Sequence, residues 1–541
     1  MREMESDVLI IGGGIAGLMA AIRSAELGVK VVVAEKANTL RSGDGSTGND
    51  HFRCYIPEYH GNDIKPVIES TLRSQVGSKP RSYVEAWIAK TYDIVKLWDS
   101  WGIPMKHDGK WEFAGHGFPG GQLASLKYCG QNQKMLLTKV AKKLGVKIVN
   151  RVTIFDLLEN GNSVAGAVGS ANRENSLMIF RSKAVFLGTG GLVRLYPGIT
   201  PALMFNRATS PCTTGDGRAM AYRAGAELVN MEFPQRWAGP RYFSRCGKGT
   251  WIGVIRDSKD RPIGPFVTKP NRLYGDAISD LNHTLFEDFE MAGKGPLYMD
   301  CRGITDEDFG YMLWGLTNEG NTAMIDYMKK EGIDVRKNAV EFITYEMTSR
   351  GGISYNEKGE TTLEGLYAAG DEYFGGISQA ATIGWLAGDN MAKYIKDMAK
   401  PPETGVFQDT IDRKKEMLCS IMDRKKGHTW QEANIAVEHI MRDYAGRLRS
   451  EDMLTAGLIH LNRLKEKVNS NLMAKNQHEL MHCLETINLI DIGEVILLAS
   501  IERKESRGNY QRSDYTFTNP MLDEKLITCK KVGEKPVIAW K

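Results

Sequence analysis

The chain opens with an apolar run that is followed by glycines and then by a segment with helical spacing. Residues Val8–Ile11 are β-branched or Leu, GGGIAG follows, and LMAAIRSAELG carries Ala and Leu at intervals that suit a helix. VKVVVAEK is a second apolar run, and its strand ends at Glu35. A strand, a helix and a strand within about 30 residues predict a βαβ unit with parallel strands.

Patterns further along the chain alternate between sheet-forming and mixed segments. Periodicity predicts helices over 83–101 and 133–144, and an apolar run predicts a strand at Ala184–Leu187 that ends in GTGG. From about 240 to 345 aromatic-rich loops and helices over 309–316 and 322–330 indicate an inserted domain. Sheet character returns with GGISYN and LEGLYAAGD, a helix follows over 382–398, and KPPETG marks a boundary.

The remainder of the chain is predicted to be helical. Its apolar residues recur at spacings of three, four and seven, which places them on one face of a helix. These residues are Leu480, Leu484, Ile487, Ile490, Leu497 and Ile501.

Composition and charge exclude several classes of function. The chain has 541 residues with 70 Lys and Arg against 66 Asp and Glu, so its net charge of +4 favours neither nucleic acid nor a membrane surface as a partner. The late apolar run is interrupted by Asp491 and Glu494 and is too short to span a bilayer. Eight cysteines are scattered without any CxxC pair, which is typical of reduced thiols and argues against an iron–sulfur cluster on this chain alone. We therefore expect a soluble, cytoplasmic protein without direct membrane insertion.

The first βαβ unit carries a dinucleotide-binding motif. Gly12, Gly14 and Gly17 fit GxGxxG directly after a strand and at the start of a helix, and Glu35 lies 18 residues past Gly17. The first glycine allows a tight turn, the second lets the backbone approach a pyrophosphate, and the third lets the helix pack on the strand. The acid at the end of the second strand accepts hydrogen bonds from ribose hydroxyls. The agreement of all four features predicts a dinucleotide site.

A second cofactor-type segment favours FAD over NAD. The sequence GLYAAGD, residues 365–371, lies about 330 residues after Glu35 and precedes a helix start. A long flavin is held at both of its ends, and Asp371 would meet its ribityl or pyrophosphate part. A nicotinamide cofactor seldom needs such a distant second strand.

The ordered motifs resemble the flavoprotein superfamily of succinate dehydrogenase, fumarate reductase, L-aspartate oxidase and the adenylylsulfate reductase alpha subunit. The resemblance runs nearly end to end through GGGIAG, AEKANTLRSG, TTGDGRAMAYRAGAELVNMEF, GLYAAGD and ERKESRGNYQRSDY. KLWDSWGIP and PRYFSRCGKGTW resemble the adenylylsulfate reductase branch most. The resemblance implies an α/β fold: a discontinuous Rossmann-like FAD-binding domain (1–237 and 346–402), an inserted α+β capping domain (238–345) and a C-terminal helical domain (403–541).

The resemblance also implies how FAD is held. Succinate dehydrogenases tether FAD covalently through a histidine after an Arg-Ser pair, whereas Gly43 follows Arg41 and Ser42 here, so we expect noncovalent FAD. The resemblance alone assigns further contacts to FAD, and each of these residues could instead belong to a structural turn. Together with the motif residues, the expected FAD contacts are Gly12, Gly14, Ile15, Ala16, Gly17, Glu35, Lys36, Ser42, Gly43, Gly48, Thr189, Gly190, Gly191, Asp216, Gly370, Asp371, Gln379 and Ala380.

Acceptors in this superfamily are anionic, and arginine suits them because its guanidinium stays charged and pairs bidentately with carboxylate or sulfate. Arg241 and Arg245 are the candidate catalytic residues, with Lys248 and Trp251 close behind. The alternative is that both arginines lie on a surface loop.

Two departures from the superfamily pattern indicate altered specificity. Met347 stands where both branches carry a histidine before the double glycine, so no imidazole is available there. Arg350, three residues later, is a third candidate for positive charge at the site, or else a solvated loop residue. Gln131 stands where the adenylylsulfate branch carries an acid.

HELMH, residues 478–482, matches the HExxH pattern that binds zinc, with Glu502 twenty residues further on. We interpret it as a coincidence within the helical domain and expect no metal.

The sequence thus predicts an FAD-dependent oxidoreductase subunit that acts on an anionic small molecule and exchanges electrons with a separate iron–sulfur, ferredoxin-like partner. One alternative is a fumarate reductase, succinate dehydrogenase or L-aspartate oxidase type enzyme. The other is a noncatalytic electron-transfer subunit of a larger complex. No nucleic-acid partner is expected.

Overall fold

The computed structural model describes most of the chain. The described residues are 1–75, 79–115, 121–198, 204–207, 209–241, 251–263, 268–273, 285–373 and 375–541.

Strands in the described residues fall into four larger sheets and two short ribbons. In chain order the strands are β1 Arg2–Glu5, β2 Val8–Ile11, β3 Val31–Glu35, β4 His51–Arg53, β5 Ser125–Lys127, β6 Lys147–Asn150, β7 Val152–Asn160, β8 Ser163–Ala171, β9 Leu177–Arg181, β10 Ala184–Leu187, β11 Leu228–Val229, β12 Pro234–Pro240, β13 Val254–Arg256, β14 Leu297–Asp300, β15 Val340–Ser349, β16 Gly352–Ile353, β17 Leu366–Ala368, β18 Leu448–Arg449, β19 Gln511–Arg512, β20 Ile527–Val532 and β21 Lys535–Trp540.

Helices connect and cover these sheets. In the described residues the α-helices are Ile15–Glu26, Pro57–His60, Lys65–Gln75, Arg81–Ser100, Gln133–Lys143, Asp216–Arg223, Leu285–Met291, Asp306–Asn318, Thr322–Lys330, Gly376–Tyr394, Gln408–Asp423, Trp430–Tyr444, Glu451–Asn471 and Gln477–Glu502. None of them has the length and apolar composition that crossing a membrane requires.

The central sheet is parallel and confirms the predicted βαβ unit. Its strand order is β17-β10-β2-β3-β6, with Ile10 of β2 opposite Phe186 on one side and Val33 on the other. Helices Ile15–Glu26 and Gly376–Tyr394 pack together, and a Cβ at Gly384 would overlap the backbone of Ala16. The N-terminal motif and the late cofactor segment are therefore parts of one layer. A second sheet, β1-β9-β8-β7, lies beside it.

The capping domain is built on the antiparallel sheet β12-β15-β14-β13 and on helices Leu285–Met291, Asp306–Asn318 and Thr322–Lys330. It has a hydrophobic core of its own, in which Trp251 meets Phe342 edge to face. The inserted α+β domain of the expected fold class is thus present. The expected boundaries at 237/238 and 345/346 fall inside β12 and β15.

The C-terminal domain is mainly helical, as expected, but its longest helix is not amphipathic. Helix Gln477–Glu502 is buried on nearly every side, including the polar Glu485, Asn488 and Asp491. The expectation of one apolar face was wrong, because other helices and the FAD-binding domain surround this helix. The last strands, β20 and β21, join β11 and β16 in a four-stranded sheet.

The ERKESRGNYQRSDY segment anchors this domain through a buried ion-pair network. Arg503 donates from Nε to Glu232 and from Nη1 to Glu505, both at 2.7 Å, and all three side chains are at most 1% exposed. Burial raises the pKa of Glu232, and the Arg503 charge opposes that rise. A buried network of this kind depends on every member being paired.

We expect Arg503→Met to lower the free energy of unfolding by about 3–5 kcal/mol, because it leaves Glu232 without its counter-charge. Urea denaturation followed by circular dichroism measures this change. Arg442→Met is the matched control, since its pair with Asp443 is half exposed and contributes about 0–1 kcal/mol. Adding Glu232→Gln to Arg503→Met should recover part of the loss. Equal stability of the two arginine variants would contradict the argument.

Candidate functional site

A cavity of about 390 Å³ runs along the carboxyl ends of the central strands. Its volume is typical of ligand sites, which span roughly 300–1,000 Å³. Fifteen of the eighteen expected FAD contacts line it. They are Gly12, Gly14, Ile15, Ala16, Glu35, Lys36, Ser42, Gly43, Gly48, Thr189, Gly190, Asp216, Gly370, Asp371 and Ala380.

The glycine motif forms one wall of the cavity. Gly12 has φ +94°, and a Cβ there would overlap the carbonyl oxygen of Gly188 at the end of β10. Gly14 is the N-cap of helix Ile15–Glu26, and within the described residues no side chain caps this helix and no acid lies in its first turn. Its first N–H groups and its positive dipole end therefore remain available to an anion. Gly17 is not on the wall: a Cβ there would overlap Gly12, so it serves close packing of helix and strand.

Glu35 closes the adjacent strand and is held in place by the backbone. Its Oε2 accepts from the Gly13 N–H and its Oε1 from the Ala37 N–H, both at 2.7 Å. The side chain is buried but lines the cavity. A carboxylate fixed in this way keeps lone pairs for ribose hydroxyls, the role that the motif predicts.

Lys36 lines the cavity and belongs to a cluster of charges. Its Nζ is 2.7 Å from both Asp216 Oδ2 and Glu485 Oε1. Burial disfavours the charged ammonium, but Asp216 and Glu485 outweigh burial and raise the pKa of Lys36. Lys36 therefore carries a permanent charge at this wall.

Glu485, from the C-terminal domain, was not identified from the sequence. Besides Lys36, it accepts from Arg194 Nη2 at 2.6 Å and pairs with His482 Nδ1 at 2.7 Å. Burial alone would raise the pKa of Glu485, yet Lys36, Arg194 and His482 hold it well below its usual range. The sequence signal that could have identified this residue is its position, since Glu485 is an acidic residue within an apolar helical run.

The same contacts account for the HELMH pattern. The His482 ring bonds Glu485 and stacks on Trp430 at 4.2 Å between ring centroids. Glu479 accepts the Lys475 N–H at the start of the helix. Among the described residues, the group with metal-ligand spacing is Asp50, His51 and Glu319, not this motif.

The late cofactor segment adds a buried carboxyl that the sequence did not single out. Glu372 Oε1 accepts from both the N–H and the hydroxyl of Thr189 at 2.6 Å. Burial raises the pKa of Glu372 to about 7, although Arg218 and the Thr189 bonds oppose the rise. Its neighbour Asp371 lines the cavity.

Gln379 and Gly191 do not line the cavity. Gln379 is fully buried and donates from Nε2 to Tyr355 Oη at 2.8 Å and also to Tyr83 Oη. Lys79 lies against the same tyrosines, 4.8 Å from the Tyr83 ring centroid, and burial lowers the pKa of Lys79 to about 7. Gln379 therefore packs beneath residues 370–371 and does not itself line the cavity.

The far end of the cavity reaches the capping domain. Glu319 and Asn321, which follow helix Asp306–Asn318, line it together with His51. A Cβ at Gly48 would overlap the Asn318 carbonyl oxygen, so the glycine permits close contact between the two domains. Gln131 donates to the Thr317 carbonyl oxygen at 3.0 Å across the same contact.

The candidate catalytic arginines are not among the described residues that line the cavity. Arg241 is 42% exposed and pairs with Glu341. Arg350 is half-buried and donates from Nε to Gln235. Arg245 and Lys248 lie outside the described residues. The backbone of Met347 pairs with Arg236 between β12 and β15.

Comparison with known proteins identifies the family. The model of the FAD binding domain family matches residues 7–384, and that of the fumarate reductase flavoprotein C-terminal family matches 435–536. One subunit of the CoM/CoB fumarate reductase of Methanothermobacter marburgensis is 22% identical over 98% of both chains. L-Aspartate oxidase of Yersinia pestis is 25% identical over 95% of this chain and 96% of its own.

Solved structures share the fold. Adenylylsulfate reductase from Archaeoglobus fulgidus superposes with a TM-score of 0.86 at 22% identity, over 100% of this chain and 96% of that chain. The family models and the cavity agree on the cofactor, since the glycine turn, the uncapped helix and Glu35 all lie where the FAD binding domain is matched. The chain belongs to the FAD binding domain family and is an FAD-dependent oxidoreductase of the fumarate reductase and succinate dehydrogenase type.

Proposed function

We propose that this chain is the flavoprotein subunit of an oxidoreductase that exchanges two electrons with an anionic small molecule bound beneath the capping domain. The observation that carries the proposal is the cavity itself, which joins the glycine turn at one end to Glu319 and Asn321 of the capping domain at the other. A cofactor bound along it would present one end to a space between two domains. Such clefts are common sites of catalysis.

The chain's residues fit FAD in three places. Glu35 would accept from the adenosine ribose, and the N–H groups at the start of helix Ile15–Glu26 would hold the pyrophosphate. Residues 42–48 and 370–371 would hold the remainder, and Gly43 offers no side chain for a covalent link. When bound, FAD supplies two-electron redox chemistry, while the protein supplies orientation and charge.

An anionic acceptor is supported by the names of the relatives. Fumarate reductase and L-aspartate oxidase are named for dicarboxylates. Burial lowers the pKa of Arg350, because its guanidinium has lost much of its water. Arg350 also donates from Nε to Gln235, and an anion within reach would add a charge-assisted hydrogen bond to that contact. Arg241, Arg245 and Arg350 remain the candidates for this contact.

A separate electron partner is supported by the cysteines and by one relative. In the described residues the cysteines are all free, and none of them joins a group with metal-ligand spacing. The Methanothermobacter marburgensis relative is named as one subunit of its enzyme, which implies further subunits in that protein. An iron–sulfur partner of this chain would supply redox centres in addition to the flavin. Copurification with an iron-containing subunit from the native source tests this part.

The proposed contact between Glu35 and the adenosine ribose of FAD gives a first test of the proposal. Glu35→Gln removes one charged acceptor and should weaken FAD binding about 10- to 100-fold, since a hydrogen bond to a charged group contributes about 1.5–3 kcal/mol. Titration of apoprotein with FAD, followed by flavin fluorescence, measures the dissociation constant. Glu26→Gln is the matched control, because Glu26 ends helix Ile15–Glu26, is 31% exposed and is not among the residues that line the cavity. Unchanged affinity in Glu35→Gln would contradict the assignment.

Reoxidation of the reduced protein tests the proposed function. We expect fumarate or adenylylsulfate to reoxidise photoreduced, FAD-loaded protein under anaerobic conditions, with dimethyl fumarate, the neutral ester, reacting far more slowly. Arg350→Met should slow the reaction with the anion about 10- to 100-fold by removing a charged donor. Stopped-flow absorbance follows the flavin. Equal rates for the acid and its ester would refute recognition of an anion, and a protein that binds no FAD would refute the whole proposal.

A further inference from the structure

The first turn of helix Gln133–Lys143 lies against the glycine turn of the FAD site. Lys134, the second residue of this helix, is 2% exposed and donates from Nζ to the carbonyl oxygen of Gly13. Gln133, the first residue, is fully buried and donates from Nε2 to the Gly45 carbonyl oxygen at 3.0 Å. Two neighbouring side chains of one helix therefore hold the backbones of two loops that border the cavity.

Lys134 fixes the peptide that joins Gly13 and Gly14. This peptide is trans and planar, so its carbonyl and its N–H group point in opposite directions. Because the Gly13 carbonyl is directed at Lys134, the Gly14 N–H is directed away from Lys134, and Gly14 lines the cavity. Glu35 holds the other polar group of Gly13 by accepting its N–H at 2.7 Å. Both polar groups of Gly13 are thus fixed by side chains from two other elements.

Lys134 also places a positive charge behind this peptide. Burial disfavours the ammonium and lowers the pKa of Lys134 to about 8, while the carboxylate of Glu35 opposes that fall. At neutral pH most of the side chain is therefore charged, although it has lost its water. An anion held by the Gly14 N–H would act on the ammonium in the same direction as Glu35, because a nearby opposite charge favours the ionised form.

Glu35 is the charged group that acts on Lys134 among the described residues. The first turn of the helix that carries Lys134 contains no acid. The helix that starts at the glycine turn carries Arg23 and Glu26, and both lie in its last turn. Asp44 lies on the loop held by the start of the Lys134 helix, and its Oδ1 accepts a backbone N–H from another loop at 2.7 Å.

We propose that Lys134 is a positioning residue for the pyrophosphate of FAD: it holds the Gly13 carbonyl so that the Gly14 N–H faces the phosphates, and its charge favours their binding. The inference rests on the placement of the pyrophosphate proposed above and not on the identity of the electron acceptor. Lys134 is not among the residues that line the cavity, and it acts through the peptide without touching the ligand.

Binding of ligands with and without phosphates tests the proposal. Lys134→Met should weaken binding of FAD and of ADP to the apoprotein about 10- to 100-fold, because the turn loses a charged donor. Binding of adenosine, which has no phosphate, should be unchanged. Titration calorimetry measures the three dissociation constants. Lys143→Met, at an exposed position in the last turn of the same helix, is the matched control and should behave as the parent.

The pH dependence of FAD binding gives a second readout. Because the bound anion favours the ammonium, binding should take up a proton above about pH 8, and the affinity should fall there by up to about tenfold per pH unit. At lower pH Lys134 is charged with or without FAD and adds no slope. Lys134→Met should remove this fall. Lys134→Arg, which stays charged throughout, should also remove it and should bind FAD more tightly than Lys134→Met.

Equal losses of ADP and adenosine affinity in Lys134→Met would overturn the proposal, because they would indicate a general distortion of the site. Unchanged FAD affinity in that variant, or a fall at high pH that persists in it, would also overturn the proposal. None of these measurements involves turnover. If no anion reoxidises the flavin while Lys134→Met loses FAD and ADP affinity as described, the proposed function fails and the role of Lys134 stands.

Discussion

The arrangement of this molecule depends on one close backbone approach, that of Gly12 to Gly188. The two residues directly follow the adjacent parallel strands β2 and β10, and a Cβ at Gly12 would overlap the Gly188 carbonyl oxygen. The chain can therefore turn directly into helix Ile15–Glu26, with Gly14 as an N-cap that has no side chain. The positive end of the helix is left facing the cavity, and an anionic group of a ligand completes what the protein leaves unpaired. A bound FAD would thus complete hydrogen bonds that the protein itself leaves open.

The parts of the fold that sequence could predict are those fixed by local patterns. Residues 8–35 carry the apolar runs, the glycines and the terminal acid in one continuous stretch, and helix Thr322–Lys330 was predicted to the residue. Helix Gly376–Tyr394 begins six residues before its predicted start, because the glycines that signal a loop also begin the helix. The hairpin of β20 and β21 was not predicted, since it joins a sheet only through the pairing of β20 with β11, which lies about 300 residues earlier in the chain. Only tertiary contact decides such pairings.

The residues of the candidate site also fall into those that the sequence could identify and those that it could not. The glycines could be identified from sequence because a tight turn or a close approach of two backbones needs that residue type. Glu485, Glu319 and Lys127 could not, because a buried charge is recognisable only through a partner, and their partners lie in other domains or on other strands. The charge of arginine likewise made it the expected residue for binding an anion. The sequence could not show, however, that Arg241 pairs with Glu341 at the surface and does not lie in the cavity.

Buried charges stand at both ends of the cavity, and each depends on a partner from another part of the fold. At the Lys36 end, Glu485 is enclosed by Lys36, Arg194 and His482, and its pKa is so low that no proton changes hands near neutral pH. At the capping-domain end, the buried Lys127 Nζ lies 2.9 Å from the buried Asp50 carboxylate, and Lys127 helps to hold the pKa of Asp50 well below its usual range. At both ends, therefore, a buried carboxylate stays ionised because a cation from a different element of the fold pairs with it.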